Sequence, residues 1–417
     1  MYRIVDQTLI GMIRRGNLTV TDALGNSYHY GNGQGEALAF RLTDRRTQWR
    51  LGLNPEYELG QAYMDGRLVI EKGDIYKLLA LFMGNLEGYP QPRIAMALYR
   101  LRQLFKHVQQ YNPIGRAERN VAHHYDLSAR LYDLFLDADR QYSCAYFERE
   151  GASLEQAQLS KKRHIAAKLR IEPGMRVLDI GSGWGGLGLY LARECGADVT
   201  GVTLSREQHK FSNERAAALG LSQQLRFLFQ DYRLLEGPFD RIVSVGMFEH
   251  VGVGHFGEFF AKCRALLAPD GVMLLHSINR SNGPGVTSSW IAKYIFPGGY
   301  IPALSEVLPV IEKSGLYLTD VEILRLHYAD TLKAWRERFL GRWDEAAAIY
   351  DERFCRMWEF YLASSEASFR HAGLNNFQIQ LARSQHALPL TRGYMMDEEE
   401  SLRRTDGGMA AQRVRTG

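Results

Sequence analysis

A glycine-rich loop behind a short apolar stretch constrains the fold of this chain more than any other feature. The stretch "RVLDI" predicts a buried strand, and the loop "GSGWGG" follows it with glycines at positions 181, 183, 185 and 186. Glycine in such a loop lets the backbone turn tightly and approach a ligand. A strand followed directly by this loop is typical of α/β folds, whose ligands bind beyond the carboxyl ends of parallel strands.

Further predicted strands follow the loop at regular intervals. "DVTGVTL", "LRFLFQD", "DRIVSVG" and "GVMLLHSI" are apolar stretches separated by helical segments, and "FQIQLAR" supplies a late strand at 377–383. Alternation of strands and helices predicts a parallel sheet with helices on both faces. We therefore expect an α/β fold with a doubly wound sheet in the larger, second part of the chain.

The first 120 residues have a different character. "LTVTDALGNSYHYG", "ALAFRLTD" and "RLVIEKGD" predict short strands, and "IYKLLALF" predicts a helix, so the sequence indicates a small α+β domain. This segment holds 16 Lys and Arg against 11 Asp and Glu. Residues 93–111 combine helical apolar spacing with basic side chains, which fits either packing on their own domain or contact with an anionic membrane surface.

Composition narrows the class of protein. Four cysteines among 417 residues, without CxxC spacing, argue against a disulfide framework or a zinc site. Neither a signal peptide nor an apolar run of about 20 residues is recognisable, so we expect a cytoplasmic protein with peripheral membrane contact at most. The charged tail at 397–417 is predicted to be disordered. We do not expect nucleic-acid binding, because basic residues do not form a stripe interleaved with aromatics.

The residues around the glycine loop indicate which ligand it binds. Asp179 stands two residues before the first glycine, and the second strand end, "GVTLSREQ", lacks the acid that normally takes the ribose hydroxyls of NAD. An acid before the loop suits S-adenosylmethionine, whose sulfonium and ammonium groups are both positive. A purely structural turn in an unrelated α/β protein is the alternative.

A thiol among aromatic residues marks a second region. "YSCAYFE" places Cys144 between Tyr142 and Tyr146, with no local base or cation that would form a thiolate. Cys144 could be a nucleophile, a packing residue or the lining of a site, and we favour the lining of a site. His123 and His124 are of a metal-binding type, but no further ligand cluster accompanies them, so we predict no metal site.

Together these stretches resemble the cyclopropane-fatty-acyl-phospholipid synthase family. The resemblance rests on "HHYDLSARLYDLFLDADRQYSCAYFE", "VLDIGSGWGGLGLYLA", "GVTLSREQ", "FDRIVSVGMFEHVG", "GVMLLHSI", "HYADTL" and "LPLTRGYM". It implies a class I methyltransferase-like sheet with helical insertions at 121–396 and an amino-terminal lipid-binding domain at 1–120. It also implies S-adenosylmethionine as cofactor, unsaturated phospholipids as substrates, a homodimer, and a peripheral location on the inner face of the cytoplasmic membrane.

The resemblance also implies roles for individual residues. In the family a bicarbonate ion serves as the base, and the positions that match its cage are Cys144, Glu249, His276, Ile278 and Tyr328. The positions that match the cofactor contacts are Tyr142, Ser143, Asp179, Gly181, Gly183, Thr203, Leu204, Gln208, Asp231 and Tyr232. From sequence position alone, Glu249 could equally cap a helix and His276 could be a structural residue.

Two other functions stay open at this point. A related enzyme could keep the fold and the cofactor but make a methyl-branched or methylene-bearing acyl chain. A lipid-binding protein without catalytic activity could retain the methyltransferase fold as a relic. The complete glycine loop and the complete set of cage residues argue against the second alternative.

Overall fold

The computed structural model describes residues 1–86 and 129–413, with side chains described up to Asp406. The predicted amphipathic helix at 93–111 and the pair His123 and His124 lie outside the described residues.

The amino-terminal region contains a small mixed sheet and four helices. Its strands are β1 (Asn17–Thr21), β2 (Ser27–Gly31), β3 (Ala37–Leu42) and β4 (Leu68–Lys72), in the spatial order β2-β1-β3-β4. Its helices are α1 (Arg3–Met12), α2 (Arg45–Leu53), α3 (Pro55–Met64) and α4 (Ile75–Gly84). Asp44, Asn54 and Asp74 start the last three helices, because each side chain accepts a hydrogen bond from a backbone N–H three residues later. The predicted strands and helix of this region are confirmed.

The second sheet has seven strands in the order β10-β11-β9-β8-β5-β6-β7. They are β5 (Arg176–Ile180), β6 (Asp198–Thr203), β7 (Leu225–Phe229), β8 (Phe239–Val245), β9 (Leu267–Arg280), β10 (Tyr317–Ile323) and β11 (Leu374–Ala382). Strands β5 to β9 pair in parallel, as predicted, whereas β11 runs antiparallel to both neighbours. Strands β6 and β8 lie on opposite sides of β5, so the strand order reverses at β5. Such a reversal leaves a crevice at the carboxyl ends of the strands.

Helices cover this sheet and extend beyond it. They are α5 (Ala129–Phe135), α6 (Leu154–Leu169), α7 (Gly186–Cys195), α8 (Arg206–Ala218), α9 (Phe256–Leu266), α10 (Ser289–Tyr294), α11 (Leu304–Glu312), α12 (His327–Gly341), α13 (Trp343–Ile349), α14 (Glu352–His371) and α15 (Gly393–Arg413). Short 3-10 turns occur at 232–234, 248–250 and 253–255. The fold is thus the predicted doubly wound sheet with helical insertions. In the parts of the chain that the structure describes, no helix has both the length and the apolar character needed to cross a bilayer.

The amino-terminal region packs against helix α14 of the larger one. The hydroxyl of Tyr63 donates to Glu359 at 2.5 Å, and Arg353 pairs with Asp65 at 2.9 Å. A Cβ on Gly60 would lie only 2.7 Å from the ring of Phe360, so glycine allows α3 to approach this closely. One hydrophobic cluster includes buried side chains of both regions, which ties the small sheet to the larger region of the chain.

The predicted disorder of the tail is wrong for its described part. Helix α15 runs through residues 397–413, and its acids meet buried cations of α6: Arg163 pairs with Asp406 at 2.8 Å, and His164 pairs with Glu399. The tail is charged, as the sequence shows, but its charges have specific partners and are therefore ordered. Strand β10 was not predicted from the sequence, because it is an edge strand without buried residues and has no apolar periodicity.

Candidate active site

One cavity at the carboxyl ends of β5, β6 and β8 gathers the predicted cofactor residues. All ten of them line it: Tyr142, Ser143, Asp179, Gly181, Gly183, Thr203, Leu204, Gln208, Asp231 and Tyr232. They come from four separate segments between positions 142 and 232, so their convergence follows from the fold and not from sequence proximity. Such a crevice is where ligands of doubly wound sheets bind.

The glycine loop forms the floor of the cavity. Gly181 and Gly183 have φ values of +82° and +54°, in the left-handed region that favours glycine. A Cβ on Gly181 would come within 2.8 Å of the Met247 side chain, whereas a Cβ on Gly183 would meet no atom within 4 Å. The space above Gly183 is therefore open to a ligand, and a larger residue there would project into it.

Asp179 supplies a buried negative group to the cavity. Its Oδ2 has no hydrogen-bond partner among the described residues, and the residue as a whole is 2% exposed. Burial raises the pKa of Asp179 to about 7, although the charge of Lys161 opposes the shift. An unpaired buried carboxylate is costly, so this position favours a positively charged ligand group, as the sulfonium or ammonium of S-adenosylmethionine would provide.

The opposite part of the cavity is held by polar side chains at the ends of β6 and β7. The hydroxyl of Thr203 donates to Gln208 at 2.9 Å and accepts from the Ser205 N–H. Asp231 accepts hydrogen bonds from Nε and Nη2 of Arg233, at 2.9 and 2.7 Å. These bonds hold side chains that match the family's cofactor contacts in fixed orientations.

Aromatic rings form the wall behind Tyr142. The ring of Tyr142 stacks on Trp335 with centroids 5.1 Å apart, and its hydroxyl is 2.9 Å from that of Tyr361. Tyr132 approaches it edge-on at 5.4 Å. Burial raises the pKa of Tyr142 well above its ordinary value, so the phenol stays neutral. Electron-rich faces in a dry environment can stabilise a nearby cation.

Cys144 is buried in the hydrophobic cluster that also contains Tyr328. Its thiol donates to the Ala145 carbonyl at 3.3 Å, and burial raises its pKa. A thiol that stays protonated is a poor nucleophile, so the geometry disfavours nucleophilic catalysis. Cys144 does not line the cofactor cavity; the structure places it behind Ser143, among apolar side chains.

Glu249 and Ile278 are in direct contact. The Ile278 N–H donates to Glu249 Oε1 at 2.6 Å, while Glu249 Oε2 is buried and has no partner among the described residues. Burial raises the pKa of Glu249 to about 7. Glu249 lies in the 3-10 turn at 248–250, between Met247 and His250, which line the cofactor cavity. Its free oxygen and raised pKa do not suit a helix cap.

His276 lies two residues before Ile278 on the same face of β9. Amide groups of Asn376 and Gln378 on β11 lie 3.4 and 3.2 Å from its two ring nitrogens. Burial lowers the pKa of His276 to about 3, so the imidazole is neutral. Tyr328 packs against Trp335 and Phe369 in the cluster of Cys144. The predicted cage residues thus fall into two groups: Glu249, His276 and Ile278 in one, and Cys144 and Tyr328 in the other. Their shared role stays a prediction.

Several residues of the site were not predicted. Lys161 and Gln141 line the cofactor cavity, and Gln378 holds His276. Lys161 belongs to the segment "SKKRH", which has the appearance of a solvated helix face. Gln378 is separated from its histidine by about 100 residues of sequence. Alternation in "FQIQ" could have indicated that both glutamines share a face of the strand.

Residues 114–379 match the model of the mycolic acid cyclopropane synthetase family. The chain is 39% identical over 328 residues to the cyclopropane-fatty-acyl-phospholipid synthase of Escherichia coli (strain K12), covering 78% of this chain and 82% of that one. It is 36% identical to the tuberculostearic acid methyltransferase UfaA1 of Mycobacterium tuberculosis (strain ATCC 25618 / H37Rv), with 80% of each chain covered.

A solved structure shows the same fold. The mycolic acid cyclopropane synthase CmaA1, complexed with SAH and CTAB, is 33% identical and has a TM-score of 0.61. The match covers 99% of that chain but 66% of this one, so CmaA1 matches only part of this chain. The chain described here belongs to the mycolic acid cyclopropane synthetase family.

Proposed function

We propose that this protein is a cyclopropane-fatty-acyl-phospholipid synthase, which transfers a methylene group from S-adenosylmethionine to the cis double bond of an unsaturated phospholipid acyl chain. The observation that carries the proposal is one cavity lined by all ten residues that match the family's cofactor contacts, with Glu249 in the turn beside it. The similarity to the Escherichia coli synthase over 78% of the chain supports the phospholipid substrate.

The surroundings of the cavity suit this chemistry. Transfer of a methyl cation to an alkene leaves positive charge on the acyl chain, and a proton must then leave for the ring to close. The half-buried ring of Tyr142 lines the cavity and stacks on the fully buried Trp335, so an aromatic face borders the space where the cation would form. The raised pKa values of Cys144 and Tyr142 keep both groups neutral, so neither competes with the alkene for the methyl group.

We further propose that the Glu249 region holds bicarbonate as the base. Glu249 Oε2 lacks a partner among the described residues, and a carboxylic acid at this pKa can share a proton with an anion. The Ile278 N–H would supply a donor next to it, and the neutral His276 would supply a second donor only by exchanging its contact with Asn376 or Gln378. In the structure the Ile278 N–H donates to Glu249, so it would have to serve both groups.

The amino-terminal region supports a peripheral location on a membrane. Four large apolar side chains of α1 and α2 are about half or more exposed, and arginines of α2 lie beside them. The apolar residues are Ile4, Ile10, Trp49 and Leu53, and the arginines are Arg45, Arg46 and Arg50. We name these seven residues the α1–α2 face. Apolar side chains that enter the headgroup region together with cations that meet anionic lipids are typical of interfacial binding.

Incubation with lipid vesicles tests the proposed function. Vesicles of a cis-unsaturated phospholipid should gain the mass of one CH2 group for each modified double bond when S-adenosylmethionine is supplied. Vesicles of the saturated phospholipid should stay unchanged, because they offer no alkene. Equal labelling of both lipids would contradict the alkene mechanism.

A methyl-branched or methylene-bearing product is the second candidate, favoured by the similarity to the tuberculostearic acid methyltransferase. A ring and an exomethylene group have the same mass, so proton NMR of the isolated lipid must separate them. Strongly shielded ring protons would support the synthase, and vinylidene protons would support the alternative. The predicted homodimer stays a prediction, which sedimentation of the purified protein would test.

A further inference from the structure

A buried lysine in the cavity wall forms no ion pair among the described residues, although the carboxylates of Asp137 and Asp139 lie near enough to act on its charge. Lys161 is 1% exposed, and its ammonium donates to Gln141 Oε1 and Ser143 Oγ, each at 2.7 Å. Both acceptors are neutral, and an ammonium has three N–H donors. Within residues 1–86 and 129–406, no carboxylate forms an ion pair with it. Because a buried charge without a counter-ion is costly, such an arrangement favours an anionic ligand.

The arginines of the same wall differ from Lys161. Arg140 forms two hydrogen bonds to Asp133, at 2.6 and 2.7 Å, and Arg233 forms two to Asp231. Both guanidinium groups are therefore already paired. Three lysine or arginine side chains of the described chain line the cavity. Arg140 and Arg233 pair with carboxylates, whereas Lys161 forms no such pair within the described residues.

Asp179 completes the pattern with the opposite charge. The same cavity wall presents its unpartnered Oδ2, so one buried cation and one buried anion line a common space. Burial lowers the pKa of Lys161 to about 8, against the opposing charges of Asp137 and Asp139, and raises that of Asp179 to about 7, against the opposing charge of Lys161. A ligand that carries an ammonium and a carboxylate on one carbon would stabilise both.

We propose that Lys161 binds the α-carboxylate of the methionine part of S-adenosylmethionine, while Asp179 takes its positive groups. Gln141 and Ser143 act as positioning residues, because their oxygens hold the ammonium at the cavity wall. The inference rests on the proposed function only through the identity of the cofactor. It assigns to Lys161 the recognition of the amino-acid end, which separates this cofactor from other adenosine compounds.

Binding of adenosine compounds with and without the carboxylate tests this role. The probes are S-adenosylhomocysteine and 5'-methylthioadenosine, which lacks the amino-acid group. In Lys161→Met, affinity for S-adenosylhomocysteine should fall about 10- to 100-fold, the range of one charge-assisted hydrogen bond. Affinity for 5'-methylthioadenosine should change by less than about twofold, since that probe makes no contact requiring the ammonium. Calorimetric titration measures both without any lipid turnover.

Control variants separate binding from folding. Lys162→Met removes the neighbouring lysine, which pairs with Asp139 and does not line the cavity, and should leave both affinities unchanged. Lys161→Gln keeps a hydrogen-bond donor without charge, so it should show the same selective loss even if the methionine variant folds poorly.

Three outcomes would overturn the inference. An equal loss of both probes would make Lys161 merely structural, and unchanged affinity for both with an unchanged bicarbonate requirement would remove it from the site. Unchanged S-adenosylhomocysteine binding with a higher bicarbonate requirement for turnover would assign the ammonium to bicarbonate instead. A wild-type protein that binds neither probe would contradict the proposed function itself, which is a different result from any of these.

Discussion

The α1–α2 face and the cofactor cavity place charge in opposite ways. On the face, Trp49 is 54% exposed and Leu53 is 57% exposed; Arg45 and Arg46 are also exposed, and Arg50 is half-buried. In the cavity wall, Lys161 and Asp179 are 1% and 2% exposed, and Glu249, in the turn beside the cavity, is 8% exposed. Exposed charges are screened within about 8 Å at physiological salt, whereas buried charges keep most of their strength.

The two regions therefore suit different functions. A screened surface acts through the sum of many weak contacts, so no single residue of it should be decisive. In the cavity one unpartnered oxygen or ammonium selects the charge of its ligand, and each single change should matter. Substitutions in each region test this division.

Glu249→Gln should lower turnover by about 100-fold or more, the order found when one positioned acid–base or electrostatic group is removed. The variant keeps its shape but loses the charge and an acceptor beside the Ile278 N–H. Affinity for S-adenosylhomocysteine should stay near that of the wild type, and added bicarbonate should restore part of the rate. Steady-state kinetics at two bicarbonate concentrations, beside a cofactor titration, measures both effects.

A second buried glutamate serves as control for this variant. Glu359 accepts from Tyr63 in the interface with α3, away from the cavity, so Glu359→Gln should retain near-normal turnover. If Glu249 only stabilised its turn, Glu249→Gln would lose about 1 kcal/mol of stability and turn over normally. That result would remove Glu249 from catalysis.

Ionisation of Glu249 should also appear in the pH dependence of stability. Burial raises its pKa from 4.5 to about 7, so the folded state binds more protons than the unfolded state between these values. The free energy of unfolding should therefore fall as pH rises through this window, by up to about 3 kcal/mol from this group. Glu249→Gln cannot ionise, and denaturant titrations from pH 4.5 to pH 8 should show a shallower decline. Parallel curves for both proteins would mean that the carboxyl is not desolvated.

The double substitution Trp49→Ser and Leu53→Ser should weaken binding to anionic vesicles by about tenfold or more, since each side chain would contribute about 1.5–3 kcal/mol if fully buried in lipid. Affinity for S-adenosylhomocysteine should not change. Rising salt should weaken the residual binding further through the arginines. Vesicle co-sedimentation measures these effects, and Leu219→Ser, at an exposed leucine beside α8, is the matched control.

Wild-type vesicle binding by this double variant would place the membrane contact elsewhere. Point variants are preferable to removal of residues 1–120, because Gly60, Tyr63 and Asp65 pack against α14. Deletion would expose the apolar surface of both regions, and lost activity would then report misfolding as much as lost binding.

Much of the cavity could be predicted from the sequence, because its signals are local. The strand, the glycine loop and Asp179 are contiguous, and Thr203 and Gln208 follow the next strand directly. Parallel strands bring these ends to one edge, so their convergence follows once the alternation is recognised.

The parts that could not be predicted depend on distant partners. Lys161 is indistinguishable from Lys162 in sequence, and only packing shows that the first is buried in the cavity wall while the second pairs with Asp139. Order in the tail depends on Arg163 and His164, more than 200 residues earlier in the chain. Edge strand β10 lacks the buried face on which period-two patterns depend.

The most direct test of the account follows the transferred carbon itself. Wild-type protein is incubated with cis-unsaturated phospholipid vesicles and S-adenosylmethionine carrying a CD3 methyl group, and the product is examined by mass spectrometry and NMR. We expect a cyclopropane ring that retains two of the three deuterons, because the deuteron that leaves for ring closure comes from the transferred CD3 group. A product that retains all three deuterons as an intact methyl branch, with no ring, would contradict it.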